Sequence, residues 1–477
     1  MSARPAFLPF ALVAVAIFSG GLYGSAQVRA AETPLDASDL IGMLKSDSFL
    51  EASAVASDVL ARGPQDVETI ALCGLALLKV GRVEEAEALF RGVISLSPDN
   101  PEAHLGLGWI ARMRNDPNAA ITHLRRAVRS EIFCEEAFRQ LWKAGLDRGS
   151  FFELMEIDAL AGKRFGKIKR PVPGWFVGGF RRVSGFCGKR FFEMTGRFEQ
   201  MAVPLLRNGN HSTRMILLRL NGKSDHPFDI DSGSPDFMTV SPELAENLGL
   251  RPWGESSAVG LGGGNASVRF AVLDSVEIGS ITFRNVPVMV SDLFMFGGMK
   301  KGLIGTGFLK RFNGTIDVRA GTLELFPLDR PDLLRANISP DAVAAEVPLY
   351  LCDAAAVEAR VEGMSGGLYI LDTAAGANLV DSRLYMEFLK PAIDPARIAR
   401  FGIIGTHGIQ SVNRVDDLWI KLGPYAFSGQ SVSEFSMDAM NSATDIYAAG
   451  LLGNPVLWPY RVHFDFRKGR LILESCQ

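Results

Sequence analysis

The back half of this chain is written twice, and the two copies keep step. Gly302-Leu-Ile-Gly-Thr-Gly-Phe-Leu309 returns as Gly450-Leu-Leu-Gly-Asn-Pro-Val-Leu457. Thr315-Ile-Asp-Val318, then Gly321-Thr-Leu-Glu-Leu325, returns as His463-Phe-Asp-Phe466, then Gly469-Arg-Leu-Ile-Leu473. The interval from Gly305 to Gly453 is the same as from Asp317 to Asp465 and from Gly321 to Gly469. Upstream, Val203-Pro-Leu205 answers Val347-Pro-Leu349, and Asp274-Ser-Val-Glu-Ile-Gly279 answers Asp416-Asp-Leu-Trp-Ile-Lys-Leu-Gly423. Chance does not produce such a series. Beyond about residue 200 the pattern is short, alternating apolar segments separated by Gly, Asn and Asp turns, which predicts all-β structure. The duplication makes that two lobes of related fold.

Each copy carries an acidic residue where a strand runs into a turn. The first is Asp231, in Phe228-Asp-Ile-Asp-Ser-Gly-Ser234, and the second is Asp372, in Leu368-Tyr-Ile-Leu-Asp-Thr-Ala-Ala-Gly-Ala-Asn-Leu-Val380. Two carboxylates brought close together cannot both ionise readily, so they share a proton and titrate as a pair. Such a pair can take a proton from water with one member and donate one to a carbonyl oxygen with the other.

Each half resembles a retropepsin-like aspartyl protease lobe. The likeness rests on the apolar-apolar-Asp-[Thr/Ser]-Gly loop early in the copy and an apolar-apolar-Gly motif late, Leu303-Ile-Gly305 and Leu451-Leu-Gly453. It covers most of residues 200 to 475. It implies a pepsin-like arrangement of two lobes about a pseudo-two-fold axis, with Asp231 and Asp372 as the catalytic dyad. Ser232 and Thr373 would then cross-bond the two loops, with Gly233 and Ala374 completing them. The Ile304-Gly305 and Leu452-Gly453 segments would buttress both loops. No cofactor and no metal is called for.

Two departures bear on that expectation. Ala374 stands where the family motif has Gly, and a methyl there could displace the catalytic water or widen the dyad. Asp229 lies two residues before Asp231, on the same face of a regular strand, where the other copy has Ile370. A third carboxylate would raise the dyad's pKa if buried. The alternative is that the strand twists and Asp229 binds a turn amide or solvent. Gly260-Leu-Gly-Gly-Gly-Asn265 and Gly405-Thr-His-Gly408 are flap candidates, one after each Asp loop, or else ordinary hairpin turns. Gly363-Met-Ser-Gly-Gly367 fits a nucleophile-elbow pattern but sits before a strand rather than between strand and helix, so it is read as a hairpin tip.

From about Thr33 to Gly166 the periodicity is helical and repeats. Gly74 and Gly108, Ala86 and Ala120, and Phe90 and Leu124 are each separated by about 34 residues, the tetratricopeptide period. Small residues at such places let paired helices approach closely, and Pro64 and Pro98 close their units. The stretch resembles tetratricopeptide repeats across two units, with a degenerate copy on each side. The resemblance implies either a surface for a partner protein or a helical spacer packed on the next domain.

The expected fold is therefore multidomain, α then β: an α-solenoid of helix pairs followed by an all-β bilobal acid-protease fold. Its expected segments are residues 1–30, a targeting segment; 33–166, the helical domain; 167–199, a Pro-, Gly- and Arg-containing joint; and 200–330 and 331–477, the two lobes. The targeting reading rests on one early Arg, an apolar run from Ala6 to Tyr23 and Val28-Arg-Ala30 as a cleavage site. It places the remainder in the periplasm or outside the cell, or on a membrane if the apolar segment is retained. A net charge of −3 gives no general attraction to nucleic acid or anionic lipid. Five scattered cysteines carry no zinc spacing and no disulfide framework. The functional expectation is an exported aspartic endopeptidase acting on a protein or peptide substrate, with repeats that hold a partner or the substrate. The alternative is a catalytically silent protease fold that binds or scaffolds.

Overall fold

The computed structural model describes residues 37–63, 66–166, 190–207, 213–259, 265–291, 302–405, 408–444 and 446–476. The segment expected to be a targeting signal, most of the joint, Pro64, Cys187, the Gly260–Gly264 part of the first flap candidate and His407 lie outside the described residues.

The front of the described chain is eight helices: α1 (Ala37–Lys45), α2 (Phe49–Arg62), α3 (Val67–Lys79), α4 (Val83–Leu96), α5 (Pro101–Met113), α6 (Pro117–Ala127), α7 (Cys134–Arg148) and α8 (Phe151–Phe165). Polar caps set several starts. Asp66, Asn100, Asp116 and Ser150 each accept a hydrogen bond from a backbone N–H three residues on, satisfying donors the helix itself cannot. The spaced small residues act as the repeat pattern predicts. The Phe90 ring from α4 fills the space a side chain would need at Gly74 and Gly106, and Leu124 does the same over Gly108. α3 and α5 are buried on nearly every side, including Lys79, Glu102, His104 and Arg112, so each is covered by more than its neighbouring helices.

The β region begins with Phe191, whose ring packs on Phe151 of α8. Phe192 then stacks on Phe237 at 4.2 Å, and Glu193–Thr195 pairs antiparallel with Ile281–Val290. In the first lobe Asp225–Asp231 lies parallel to Gly302–Gly305, which pairs antiparallel with Met238–Val240 on its other edge. The second lobe repeats this arrangement: Gly367–Leu371 is parallel to Ala448–Leu452, which is antiparallel to Asn378–Asp381. Equivalent residues meet, with Gly305 opposite Asp231 in one lobe and Leu452 opposite Leu371, the residue before Asp372, in the other.

A six-stranded antiparallel sheet joins the lobes, in the order Val343–Pro348, Arg470–Ser475, Tyr460–Asp465, Phe312–Asp317, Thr322–Pro327, Met201–Pro204. Each copy gives three of those strands. The described glycines of the Gly363–Gly367 stretch connect Ala354–Val361 to Gly367–Leu371, an antiparallel hairpin, as its sequence context predicts. Cys73, Cys134, Cys352 and Cys476 are free thiols, so the described cysteines form no bridge, and burial pushes the Cys73 thiol up to about 12.

The helices are docked on the β region through a buried charge cluster. Arg112 of α5 reaches Asp353 at 2.6 Å and Asp147 of α7 at 3.2 Å. Lys143 also holds Asp353 at 2.6 Å, and Lys310 of the first lobe holds Asp147 at 2.5 Å. Burial alone would raise the Asp353 carboxyl, but the Lys143 and Arg112 charges outweigh it and hold it well below the usual carboxylate range. Asp353 occupies the tight turn between Tyr350–Cys352 and Ala354–Val361, with φ +64°. Tyr350 donates to Glu84 of α4 at 2.5 Å, and the Tyr447 backbone N–H donates to the Lys79 carbonyl at 2.7 Å.

Candidate active site

The two aspartates sit at the ends of the strands on which the lobes are built. In the first lobe Phe228 and Ile230 point into the apolar core, so strand alternation puts Asp229 and Asp231 on the opposite face. In the second lobe Tyr369 and Leu371 enter the same core, leaving Leu368, Ile370 and Asp372 on the other face. Asp231 and Asp372 are both part-exposed, unlike their neighbours Ser232 and Thr373, which are fully buried.

Four hydrogen bonds lock one loop to the other. The Ser232 hydroxyl donates to the Leu371 carbonyl at 2.7 Å and accepts from the Thr373 backbone N–H at 3.1 Å. The Thr373 hydroxyl donates to the Ile230 carbonyl at 2.8 Å and accepts from the Ser232 backbone N–H at 3.1 Å. Each hydroxyl therefore satisfies one donor and one acceptor of the opposite lobe at the residues flanking the carboxylates. The cross-bonding expected of Ser232 and Thr373 is the geometry found. A fifth link is the Ala355 N–H to the Ser232 carbonyl at 3.1 Å, which also accepts from the Thr306 hydroxyl at 2.7 Å.

Within each loop the carboxylate is held by the amide two residues on. Gly233 N–H donates to Asp231 Oδ1 at 2.9 Å, and Ala374 N–H donates to Asp372 Oδ1 at 2.7 Å. Ala374 thus makes the bond its glycine counterpart makes. Neither residue has a positive φ, so the backbone there does not call for glycine. Space does call for it at Gly233: a Cβ built there would stand 2.9 Å from the Asp372 carboxyl carbon and 3.0 Å from its Oδ2. Asp372 is therefore packed against the Asp231 loop.

The late glycines explain why the loops can nest. A Cβ at Gly305 would overlap the Asp236 carbonyl and lie 2.6 Å from that of Ser234. One at Gly453 would lie 2.5 Å from the Ala377 carbonyl and 2.6 Å from that of Ala375. Thr306 and Asn454, which follow them, donate their N–H groups to Ser234 at 2.8 Å and Ala375 at 2.9 Å. Both buttresses are the same device used twice.

Asp229 is 2 % exposed; the solvent contact considered for it is not found, and it lies opposite Leu303 and Met215. Asp236 is a second carboxylate close by that the sequence pattern did not single out. Burial raises it to about 6, and the Ser234 and Thr239 hydroxyls at 3.4 and 3.3 Å draw it back. Thr306 was also missed, because nothing in its sequence setting distinguishes a hydroxyl that braces the Ser232 carbonyl from one that caps a short helix.

The β region is thus two duplicated lobes whose Asp-bearing loops cross-bond at their meeting point. Residues 216–308 match the family model described as aspartyl protease, and residues 74–132 match the tetratricopeptide repeat model. The chain thus combines tetratricopeptide repeats with an aspartyl protease-like β region. No curated protein matches it. Among solved structures, basic 7S globulin from soybean aligns at 13 % identity and TM-score 0.36, over 59 % of this chain and 97 % of that one. Conglutin gamma, a basic 7S globulin from lupine seeds, aligns at 9 % identity and TM-score 0.38, over 59 % of this chain and 96 % of that one.

Proposed function

We propose that the protein is an exported aspartic endopeptidase in which Asp231 and Asp372 share a proton and activate a water. The ionised partner takes the water's proton as its oxygen attacks the scissile carbonyl, and the protonated partner donates to the carbonyl oxygen. The supporting observation is the reciprocal Ser232–Thr373 bonding, which ties the two carboxylate-bearing loops into one unit. Export is supported by the charged, then apolar, then small-residue order of the first 30 residues.

A second reading has its own support. Ala374 adds a methyl beside Asp372, and a protein using this fold to bind rather than cut has no need of the glycine. The test is cleavage of an unbiased peptide mixture from acid to neutral pH by the full chain, by Asp231→Ala and by Asp372→Ala. Cuts that both substitutions remove support the peptidase. A folded protein that makes none is a binding module.

A further inference from the structure

We propose that the Ala426–Ser428 edge of the second lobe is a docking site for a partner protein, which adds an extended segment there as a strand and seats one aromatic ring against Tyr460.

The two lobes match closely around this edge. Counted from the paired Gly279 and Gly423, Phe283 answers Phe427 and Asn285 answers Gly429; counted from Gly305 and Gly453, Phe312 answers Tyr460. The backbone agrees, since Asn285 and Gly429 are both left-handed, with φ +55° and +67°. So do the rings. Phe283 meets Phe312 edge-on at 5.7 Å and 82°, and Phe427 meets Tyr460 at 5.6 Å and 79°.

What differs is the neighbour. In the first lobe Glu193–Thr195 is paired along Thr282–Arg284, and the Phe192 N–H donates to the Asn285 carbonyl at 3.4 Å. Phe198, just beyond, sets its ring edge-on to Phe312 at 5.9 Å. In the second lobe Tyr425–Phe427 pairs with Ile420–Leu422 on one side, and Asn378–Asp381 lies along the other side only from Val432 onward. Among the described residues no strand lies beside Ala426–Ser428 on that other side. The segment that answers Phe192–Phe198, residues 336–342, is committed elsewhere. Its Ile338 is buried with Phe326, Leu334 and Ile472, and its Ser339 N–H donates to Glu474 at 2.9 Å.

Beside the uncovered edge lies a hollow of about 340 Å³, with Tyr425, Phe427, Pro455, Pro459 and Tyr460 among its walls. A closed cavity of about 150 Å³ already holds benzene, so one ring fits. An open edge is a template for a further strand; main-chain bonds then give affinity and a side-chain pocket gives specificity. The first lobe shows the chemistry of the occupant, an extended stretch that carries an aromatic residue.

The probe is the end-blocked peptide Phe-Glu-Met-Thr-Gly-Arg-Phe, the sequence of residues 192–198. It is added in millimolar amounts to the full chain carrying Asp372→Ala, so that the result is independent of any cleavage. Backbone hydrogen exchange across Tyr425–Gln430 should slow at least fivefold. Replacing the last Phe of the peptide by Ala should weaken binding at least tenfold. So should Ala344→Trp, whose larger ring fills the hollow that Ala344 lines, and so should Tyr460→Ala, which serves where Ala344→Trp does not fold. Unchanged exchange at Tyr425–Gln430, slowing confined to the Asp231 and Asp372 loops, or affinity in the folded variants equal to that of the parent chain each overturns the proposal.

Discussion

Thr315 and His463 hold the same place in the two copies, 148 residues apart, and their side chains hydrogen-bond to each other at 2.8 Å. They are also directly paired across the central sheet, so the pseudo-two-fold axis of the molecule passes between them. The other ring nitrogen of His463 meets Glu474 at 2.9 Å, and Glu474 is held by Arg461 at 2.6 Å. All three of Thr315, His463 and Glu474 are buried, so this hydroxyl–imidazole–carboxylate row braces the lobe junction and has no access to substrate.

That row has a pH signature. Burial, despite the Glu474 bond, lowers the His463 imidazole from 6.5 to about 4. Between those values the unfolded chain binds a proton the folded chain refuses, so stability falls as pH drops from 6.5 to 4 and no further on this account. The loss is on the order of 3 kcal/mol at about 1.4 kcal/mol per unit. Urea unfolding at a series of pH values should show that slope, and His463→Gln should flatten it; an unchanged slope in His463→Gln would sink the assignment.

Gly233 and Ala374 are predicted to be unequal. Gly233→Ala drives a methyl to 2.9 Å from the Asp372 carboxyl carbon, closer than packing allows, and should lower peptide cleavage at least a hundredfold in a protein that still folds. Ala374→Gly should change cleavage by less than about threefold, since the bond to Asp372 is a backbone bond in either case; with RT at 25 °C that is under ~1 kcal/mol. Equal losses in the two variants would contradict this geometry.

The cross-bonded hydroxyls should behave as one unit. Ser232→Ala and Thr373→Val each strand a buried N–H and a buried carbonyl of the opposite loop, costing about 2–3 kcal/mol apiece. In a double-mutant cycle the pair should cost less than the sum by roughly 1 kcal/mol. Thr373→Ser should keep most of the stability. Strict additivity by chemical denaturation would show the bonds to be independent.

The repeats offer a steric test. Gly106→Ala would press a methyl into the Phe90 ring and should destabilise the protein by about 1–3 kcal/mol, as overpacking does. Phe90→Leu should relieve part of that loss in the double variant. If thermal unfolding shows Gly106→Ala to be neutral, the close approach of α4 and α5 is not under load.

Much of this was legible in residue order because it is periodic. The spacing of Gly74, Phe90 and Gly108 gives the helix pairs, and the repeated Leu-Ile-Gly and Leu-Leu-Gly motifs give both lobes and the placing of Asp231 and Asp372. What could not be read has no local pattern. Arg112 and Asp353 are separated by 241 residues, and neither stands in a motif; only folding both halves brings them together. Asp236 lies five residues past Asp231, yet its burial is decided by the distant Gly305–Gly307 segment that packs on its carbonyl. The packing of Leu368 and Ile370 against the helices was hidden for a related reason: an apolar residue in a lobe's own core and one on a docking face look alike in sequence.

The central sheet carries a consequence of its own. Gly314 pairs with Phe464 and Ile316 with Val462, so each copy offers its partner the same edge in the same register. Such an edge is complementary to itself as well as to its sister. Two chains in solution could therefore trade second copies without altering a single pairing in the sheet, and the short segment between Pro327 and Val343 is where that exchange would hinge. A freshly refolded sample at high concentration should contain a slowly separating dimer whose sheets are indistinguishable from those of the single chain.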